Sequence, residues 1–346
     1  MKTIDGKYIL SAMNKEELES MVVELNHPKF RAQQLHFWLF NKSVNDFDEM
    51  TNLSKDFRAD LKKHSIISDT KIKQRLISKD GTIKYLLEFA DGNAVETVLM
   101  RFDNRPNLTA CVSSQVGCPV KCVFCATGQR GFIRNLSKRE IVDQILTIQR
   151  DTGLKVTNIV YMGQGEPLLN YENVVDSIKF INENLEIGKR RITVSTSGIV
   201  PNIKRFADEH DQLTIALSLH APTHELRKQL MPIENKYNLE QVIDSLHYFV
   251  NNTKRRVTIE YTLIAGINDS PEMAKKVNQL LKGLNCNINI IPYNPACDDQ
   301  FKAPSLDSIN MFRYILEQSG KKATVRLERG SDIMAACGQL SGQSLN

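Results

Sequence analysis

Cys118-Pro-Val-Lys-Cys122-Val-Phe-Cys125 places three cysteines within eight residues, directly after a β-branched run at residues 108–113 that we predict to be a strand. Three thiolates on one loop can hold three corners of a four-iron cluster and leave the fourth iron open to a substrate or cosubstrate. Two alternatives remain for this cysteine loop (residues 118–125). Zinc also binds closely spaced cysteines, although no histidine or cysteine follows Cys125 at the spacing of a fourth ligand. A disulfide is the other alternative, and it is disfavoured because nothing marks the chain as secreted.

The bulk composition indicates a cytoplasmic globular protein. The chain has 346 residues, 41% of them apolar, which suffices for one large domain with an appendage or for two domains. Its N-terminus is too polar for a signal peptide, and no apolar run reaches the length of a membrane span. Seven cysteines in such a chain favour metal or redox chemistry, and the net charge of +5 permits a nucleic-acid partner without requiring one.

From about residue 108 onward, β-branched runs alternate with amphipathic helical stretches, and Ser137 with Glu140 has the spacing of a capping box. Such alternation predicts a parallel sheet of βα units, either barrel-like or doubly wound. The predicted strands are residues 108–113, 158–162, 192–195, 213–219, 257–263 and 288–292. The predicted helices are residues 137–150, 172–184, 239–251, 271–282 and 305–319.

Polar and unusual residues follow these strands. In a (β/α) barrel the functional site lies at the C-terminal ends of the strands, so these loops are expected to converge. Besides the cysteine loop they are Gly163-Gln164-Gly165-Glu166-Pro167, Ser195-Thr196-Ser197-Gly198, Ser218-Leu219-His220 and Tyr293-Asn294-Pro295.

The ends of the chain differ from this middle part. Residues 14–64 indicate short helices, and turn signals at Asp80-Gly81 and Asp91-Gly92 indicate a small antiparallel unit near residues 70–100. We therefore expect an N-terminal α+β accessory domain at 1–100, a barrel core at 101–327 and a C-terminal tail at 328–346 that carries Cys337.

The cysteine loop, with Phe124 before its last cysteine, resembles the radical S-adenosylmethionine (SAM) superfamily, and Gly163-Gln164-Gly165-Glu166-Pro167 resembles that superfamily's Gly-Gly-Glu-Pro motif. This resemblance implies a partial (β/α)6 TIM-like barrel and a [4Fe-4S] cluster held by Cys118, Cys122 and Cys125. The open iron would chelate SAM, and reduction would give a 5′-deoxyadenosyl radical.

Further segments spread over nearly the whole chain resemble the RlmN/Cfr family of RNA adenosine methyltransferases, more closely its C2-methylating branch, RlmN, than its C8-methylating branch, Cfr. The segments include Phe30-Arg-Ala-Gln-Gln, Cys111-Val-Ser-Ser-Gln-Val-Gly-Cys118, Gly131-Phe-Ile-Arg-Asn-Leu136, Ser218-Leu-His-Ala-Pro222, Leu230-Met-Pro-Ile233 and Asp332-Ile-Met-Ala-Ala-Cys-Gly-Gln-Leu340.

The resemblance also implies residue roles. Cys337 would take a methyl group from a first SAM, and a radical made from a second SAM would activate that group for addition to adenine C2. Glu96 would accept the C2 proton, and Cys111 would release the product through a transient disulfide with Cys337, which must be reduced between turnovers. The residues implied to bind SAM are Gly165, Glu166, Pro167, Ser195, Ser218, Leu219, His220 and Asn294.

Each of these residues, taken alone, has an ordinary structural interpretation. A strand cysteine such as Cys111 is more often a small buried hydrophobe, a hairpin glutamate such as Glu96 is more often a surface carboxylate, and His220 could be a core histidine. Cys286 and Cys297 match no family motif and are expected to be structural.

Two positions depart from the family pattern. Gln164 stands where the family usually has the methionine of Gly-Met-Gly-Glu-Pro, and Met334 stands where the tail usually reads Asp-Ile-Asp. We expect both changes to be tolerated.

The expected function is C2 methylation of an adenosine of 23S ribosomal RNA at the peptidyl-transferase centre, with transfer RNA as a second substrate at the adenosine 3′ of the anticodon. We expect a monomer that needs an external electron donor and does not enter a membrane. C8 methylation is one alternative, and a zinc-stabilised RNA-binding protein without chemistry is another. Basic residues, densest at Lys189-Arg190-Arg191 and Lys254-Arg255-Arg256, would make salt-sensitive phosphate contacts.

Overall fold

A computed structural model describes residues 6–102, 105–296 and 300–342 of the chain. Its strands alternate with helices from the middle of the chain onward, as the hydrophobic pattern predicts. The strands, in chain order, are β1 (Tyr8–Ile9), β2 (Ser65–Ile66), β3 (Lys71–Ile77), β4 (Ile83–Glu88), β5 (Ala94–Phe102), β6 (Arg105–Cys111), β7 (Gln115–Gly117), β8 (Phe132–Asn135), β9 (Asn158–Tyr161), β10 (Ile192–Thr196), β11 (Thr214–Ser218), β12 (Val257–Leu263), β13 (Cys286–Pro292) and β14 (Lys322–Val325).

The helices cover the sheet, and one π-helical turn, Phe37–Lys42, extends α2. The helices are α1 (Lys15–Glu24), α2 (Arg31–His36), α3 (Lys55–His64), α4 (Ala126–Arg130), α5 (Lys138–Thr152), α6 (Tyr171–Asn184), α7 (Val200–Glu209), α8 (His224–Leu230), α9 (Leu239–Thr253), α10 (Pro271–Leu280) and α11 (Leu306–Gln318). Short 3₁₀ turns lie at Phe47–Glu49, Pro167–Leu169, Lys189–Arg191, Pro232–Asn235 and Ser331–Ile333.

The described residues form one large sheet of ten strands in the order β14-β13-β12-β11-β10-β9-β6-β5-β4-β3. Strands β6 and β9 to β14 pair in parallel, whereas β3, β4, β5 and β6 pair antiparallel. The six predicted strands therefore all form and lie side by side in chain order, which confirms the α/β prediction. Strands β14 and β3 are the two ends of this order, so the sheet stays open, as a partial barrel requires.

Helix α7 and strand β14 are two of the elements of the sheet region that were not predicted. Helix α7 has Pro201 in its first turn and buries Ile203 and Phe206. A proline followed by an amphipathic stretch was therefore the sequence signal that could have predicted this helix. Strand β14 has four residues and pairs with β13 at the edge of the sheet. Short edge strands carry little hydrophobic pattern, because one of their sides is left unpaired.

The predicted antiparallel unit forms at β3, β4 and β5, with turns at Gly81 and Gly92, which both have positive φ. This unit is continuous with the barrel sheet, because β5 pairs with β6. The predicted domain limits at residues 100 and 327 stay a prediction.

The main hydrophobic core lies between the sheet and its helices, and a smaller apolar cluster lies beneath the cysteine loop at the C-terminal edge of the strands. That smaller cluster contains Phe124, Ala221, Leu230, Met231, Ile264 and Tyr293. In the described part of the chain, no helix has the length and apolar character needed to cross a membrane.

Helix α5 connects the N-terminal segment to the sheet. Its start has the predicted capping box, in which Ser137 and Glu140 cap each other's backbone N–H groups. Further along, the fully buried Asp143 accepts hydrogen bonds from the hydroxyls of Ser11 and Ser68, each at 3.0 Å. It also pairs with Arg139 at 3.3 Å and lies 3.5 Å from Arg150. One carboxylate thus neutralises two nearly buried guanidinium groups.

We expect Asp143→Ala to destabilise the fold by about 3–5 kcal/mol, because it leaves the nearly buried Arg150 without its counter-charge and Arg139 with Asp69 alone. Urea unfolding followed by circular dichroism measures the effect. Asp176→Ala is the matched control, since Asp176 lies exposed on the neighbouring helix α6 and its loss should change stability by less than about 0.5 kcal/mol. Equal unfolding midpoints for the two variants would contradict this role of Asp143.

Candidate active site

Two glycines allow the cysteine loop to fold back on itself. Gly117 has a φ of +73°, and a Cβ atom there would lie 1.8 Å from the carbonyl oxygen of Gly131. A Cβ atom on Gly128 would lie 2.7 Å from the carbonyl oxygen of Cys122. Larger residues are therefore excluded at both positions. The N–H of Cys118 donates to the Gly131 carbonyl at 2.9 Å, which fixes the entry of the loop.

The three loop cysteines lie in an environment that disfavours free thiolates. Burial raises the pKa of Cys118 to about 12, and burial also raises the pKa values of Cys122 and Cys125. Bound metal offsets this cost because a coordinating thiol is deprotonated by the cation. Three thiolates on one loop fit a cluster, in which each thiolate binds its own iron.

The cysteine loop forms one wall of a cavity of about 160 Å³, the cluster cavity, at the C-terminal ends of the strands. The predicted convergence of the loops therefore occurs for most of the named residues. Lining residues include Cys118, Cys122, Cys125, Gly165, Glu166, Pro167, Ser195, Ser218, His220 and Cys337.

The Gly163–Pro167 loop packs tightly against the start of β7. Gly165 has a φ of +99°, and a Cβ atom there would lie 2.5 Å from the side chain of Gln115. The buried carboxylate of Glu166 accepts hydrogen bonds from the N–H of Leu168 at 3.0 Å and of Ser197 at 2.6 Å. Burial raises the pKa of Glu166, and the hydrogen bonds from Ser197 oppose this rise. Glu166 thus joins the loops that follow β9 and β10.

Ser195 and Ser218 end neighbouring strands, and their hydroxyl oxygens lie 3.4 Å apart. His220, two residues further on, is held neutral because burial, with a smaller effect from Arg227, lowers its pKa to about 3. Its Nδ1 accepts the N–H of Thr262 at 2.9 Å, and its ring contacts Phe124 edge-on at 4.9 Å. The remaining ring nitrogen of His220 is therefore a neutral donor beside the cluster cavity.

Two predicted SAM contacts lie elsewhere. Leu219 is fully buried, does not line the cluster cavity, and donates its N–H to the Glu260 carbonyl at 3.0 Å. Asn294 lines a second cavity, and its amide nitrogen lies 3.4 Å from the carbonyl oxygen of Cys337. The buried Oδ1 of Asn294 has no hydrogen-bond partner within the described residues. Contacts of these two residues with SAM stay a prediction.

The second cavity, the tail cavity, has a volume of about 460 Å³ and lies between the sheet and the C-terminal tail. Cys111 and Cys337 both line it, and both are free cysteines. Burial raises the pKa of Cys111 to about 12; Cys337 adds to this rise, and Arg326 opposes it. Cys337 also lines the cluster cavity. Cys337 is thus a tail residue that lines both cavities, together with Met162, Ile291 and Arg326 of the sheet region.

The tail is fixed to helix α4, the helix that follows the cysteine loop. The N–H of Ala126 donates to the Gly338 carbonyl at 2.9 Å, and the hydroxyl of Thr127 donates to the Leu340 carbonyl at 2.6 Å. Arg130 donates to the carbonyls of Ser341 and Gly342. The segment that carries Cys337 is therefore held by the helix that follows the three loop cysteines.

Glu96 is buried beneath this tail and does not line the tail cavity. Its Oε1 pairs with Lys84 at 2.7 Å, and its Oε2 accepts the N–H of Gly342 at 2.7 Å. Its own N–H donates to the side-chain oxygen of Gln164 at 3.0 Å. The structure therefore brings Glu96 close to the tail but covers it. Sequence reasoning missed Lys84, because a lysine within a strand usually indicates a solvent-exposed face.

Arg227 is a second residue that sequence reasoning missed. It is completely buried, and its guanidinium donates to the carbonyls of Ser197 at 2.6 Å and Leu219 at 3.3 Å. Its charge is balanced by Glu234, with which it forms a close ion pair. Arg227 thus fixes the loops after β10 and β11. No local pattern indicates this role, because Arg227 lies on α8 and the two carbonyls that it binds lie in the loops after β10 and β11.

A family model described as the Radical SAM superfamily matches residues 112–277, and one described as the ribosomal RNA large subunit methyltransferase N-terminal domain matches residues 9–67. Similar proteins include a probable dual-specificity RNA methyltransferase RlmN from Alkaliphilus oremlandii (strain OhILAs), 46% identical over 98% of this chain and 99% of that protein. A protein of the same description from Thermotoga sp. (strain RQ2) is 49% identical over 95% of this chain and 96% of that protein. The chain belongs to the RlmN family.

A solved structure agrees with this membership. A radical SAM methyltransferase from Sphaerobacter thermophilus has a TM-score of 0.91 and 43% sequence identity, covering 97% of this chain and 100% of that chain. The chain is thus a radical SAM RNA methyltransferase, which confirms the resemblance and the enzyme class. Membership implies a [4Fe-4S] cluster and SAM, and the geometry of the cysteine loop fits both. It also removes the alternative of a zinc-stabilised RNA-binding protein without chemistry.

Of the two cysteines that were predicted to be structural, one lies within the described residues. Cys286 is buried in the main core at the start of β13, away from both cavities. Cys297 lies outside the described residues.

We expect Cys122→Ala to abolish iron binding after anaerobic reconstitution, because two thiolates on the loop cannot hold the cluster in place. Iron content and the broad visible absorption of the protein measure this loss. Cys286→Ala is the matched control and should keep the iron and absorption of the unaltered protein. An iron-loaded Cys122→Ala protein would show that the cysteine loop is not the cluster site.

Proposed function

We propose that this RlmN-family enzyme methylates C2 of an adenosine in 23S ribosomal RNA at the peptidyl-transferase centre. Transfer RNA, at the adenosine 3′ of the anticodon, is the second proposed substrate. Relatives that are nearly half identical over almost their whole length are described as dual-specificity RNA methyltransferases, which supports two RNA substrates. We propose an external electron donor, a cytoplasmic monomer, and two SAM molecules per turnover.

The observation that carries the proposal is the position of Cys337 between the two cavities. It lines the cluster cavity together with the three loop cysteines, and it lines the tail cavity together with Cys111. A methyl group on its sulfur could therefore face SAM on one side and the target base on the other. An idle tail cysteine would not be expected to lie at this position.

Cys118, Cys122 and Cys125 would hold the cluster, and Glu166, Ser195 and Ser218 would bind SAM. When bound, the cluster and SAM supply a 5′-deoxyadenosyl radical. Glu166 presents a buried carboxylate suited to an ammonium group, and the two hydroxyls suit ribose or carboxylate oxygens. The neutral His220 could donate a hydrogen bond without adding charge.

Around the target base, three residues of this chain have proposed roles. Cys337 would carry the methyl carbon, which would lose one hydrogen atom to the 5′-deoxyadenosyl radical and bond to C2. Glu96 would accept the C2 proton, and the one electron that must also leave the adduct would pass to the oxidised cluster. Cys111 would then attack the sulfur of Cys337, so that an S–S bond forms, the C–S bond breaks, and the released carbon takes up a proton to complete the methyl group. An external thiol reductant would restore both cysteines.

The raised pKa of Cys111 is consistent with a resolving role. A thiol that is protonated in the resting enzyme does not compete for the methyl group, because the thiolate is the nucleophile. Arg326, which lines both cavities, opposes the rise and is placed to favour the thiolate during release.

The target adenine must leave its stack to enter the tail cavity. Its lining is largely apolar, with Val98, Met100 and Met162 beside Asn294 and Arg326, which suits an unstacked base with polar edges. Two exposed basic runs, at residues 189–191 and 254–256, are candidates for phosphate contacts. Binding should then weaken as salt rises.

Nucleoside mapping tests the proposed regiochemistry. Anaerobic incubation with reductant, SAM and both RNAs should give 2-methyladenosine in each RNA, as measured by mass spectrometry of the digested nucleosides. Product that consists of 8-methyladenosine alone would contradict C2 chemistry and would assign the Cfr-type reaction instead. RNA carrying another base at the target position is the control and should remain unmodified.

We expect Cys111→Ala to accumulate a covalent complex between protein and RNA, because no thiol remains to attack Cys337 in the tail cavity. Denaturing gel electrophoresis of radiolabelled RNA measures the complex. Cys286→Ala is again the matched control and should release product normally. Multiple turnovers by Cys111→Ala would remove Cys111 from the release step.

A further inference from the structure

We propose that Lys84 is a positioning residue for the proton acceptor Glu96 and that it couples this acceptor to the tail carrying Cys337. The inference rests on the function proposed above, in which Glu96 accepts the C2 proton of adenine. It adds a residue to this step that neither the sequence motifs nor the family resemblance indicates.

The sheet places Lys84 and Glu96 on the same face. Lys84 on β4 lies opposite Val98 on β5, and Glu96 precedes Val98 by two residues. Diagonal neighbours on one sheet face are within reach of a long side chain. The Lys84 Nζ lies 2.7 Å from the Glu96 Oε1, and the two side chains are only 4% and 2% exposed.

At this burial Lys84 supplies the counter-charge of Glu96. A carboxylate with almost no solvent contact needs a counter-charge to stay ionised. Only the ionised carboxylate can accept a proton. The other charged side chain close by, Arg130, donates to the carbonyls of Ser341 and Gly342 rather than to the carboxylate, and Gln164 is neutral.

Lys84 also keeps a partner after the proton has moved. Its Nζ donates a second hydrogen bond, of 3.0 Å, to the carbonyl oxygen of Met334. When Glu96 becomes neutral, the ammonium group is therefore not left without an acceptor in the protein interior. In this step the C2–H bond breaks, the proton goes to Glu96 and its electron pair stays on the ring, while the unpaired electron of the adduct would pass to the oxidised cluster.

The second hydrogen bond couples Glu96 to the tail. Met334 lies three residues before Cys337, so Lys84 holds the acceptor and the methyl-carrying segment at the same time. The Oε2 of Glu96 is occupied by the N–H of Gly342 at 2.7 Å. Because Glu96 is buried and does not line the tail cavity, the end of the tail at Gly342 must move before a base can reach the carboxylate, whereas Lys84 can remain on Oε1 and keep it in place.

Lys84→Met tests the inference in an anaerobic single turnover with reductant, SAM and substrate RNA deuterated at C2 of the target adenine. We expect Cys337 methylation to be unchanged, because this step does not use Glu96. Release should slow by about 10²-fold, the lower end of the contribution of a positioned proton acceptor. The covalent adduct should accumulate with its deuterium retained, and an isotope effect should appear on release. A purely structural role would not confine the defect to this step.

Three comparison variants make the result specific. Lys84→Arg keeps the charge and should release product within about tenfold of the unaltered enzyme. Lys84→Gln keeps hydrogen-bond donors without the charge and should stall like Lys84→Met, which preserves the test if Lys84→Met does not fold. Lys73→Met is the matched control, because Lys73 forms a Lys–Glu pair with Glu88 at 3.0 Å in the same sheet while half exposed; it should turn over normally.

Glu96→Gln separates failure of this inference from failure of the proposed function. If Glu96→Gln stalls with deuterium retained but Lys84→Met and Lys84→Gln release product at the normal rate, Lys84 has no positioning role and the proton acceptor stands. If Glu96→Gln itself turns over normally, the assignment of Glu96 in the proposed function is wrong. Circular dichroism and melting temperature establish that each variant is folded.

Discussion

The site depends on the two-sided pairing of strand β6. On one side β6 pairs antiparallel with β5, with Cys111 opposite Val98; on the other it pairs in parallel with β9, with Cys111 opposite Val160. Among the described strands of this sheet, β6 is the one at which the pairing changes from antiparallel to parallel. Because of this double pairing, the cysteine loop that follows β6, the glycine-rich loop that follows β9 and strand β5, which carries the proposed acceptor Glu96, all lie beside Cys111. A shift of one residue in either register would turn Cys111 to the opposite face and separate it from the tail.

The C-terminal tail contacts both the helix after the cysteine loop and the buried Glu96. Its hydrogen bonds to α4 fix Cys337 at the boundary between the two cavities, and its bond from Gly342 covers Glu96. These contacts serve different steps. In the proposed mechanism the α4 contacts would serve methyl transfer near the three loop cysteines, whereas proton removal would need the base to reach the buried Glu96. The described arrangement has the tail closed over Glu96, so the proposed reaction requires the end of the tail to move.

The sequence allows the sheet and the cysteine loop to be predicted because both depend on local signals. The β-branched runs end at polar loops, and the three cysteines of the loop lie within eight residues of one another in the sequence. The capping box at Ser137 and the turns at Gly81 and Gly92 are local in the same way. Contacts between residues on different elements of the fold cannot be predicted from such local patterns. Arg227 bonds to carbonyls of loops it follows by many residues, and Lys84 pairs with Glu96 only because of the register between β4 and β5. A buried ion pair contradicts the usual exposure of lysine, so composition argues against it.

Both departures from the family pattern lie at the Lys84–Glu96 pair. Gln164 supplies the oxygen that accepts the N–H of Glu96, which a thioether could do only weakly. Met334 accepts from Lys84 through its backbone carbonyl, a group that any residue at this position retains. The first change therefore adds a contact to the acceptor, and the second leaves the contact to the tail intact. Two changes that separately look like losses of motif residues are thus compatible with an acceptor held from its backbone by Gln164 and from its carboxylate by Lys84.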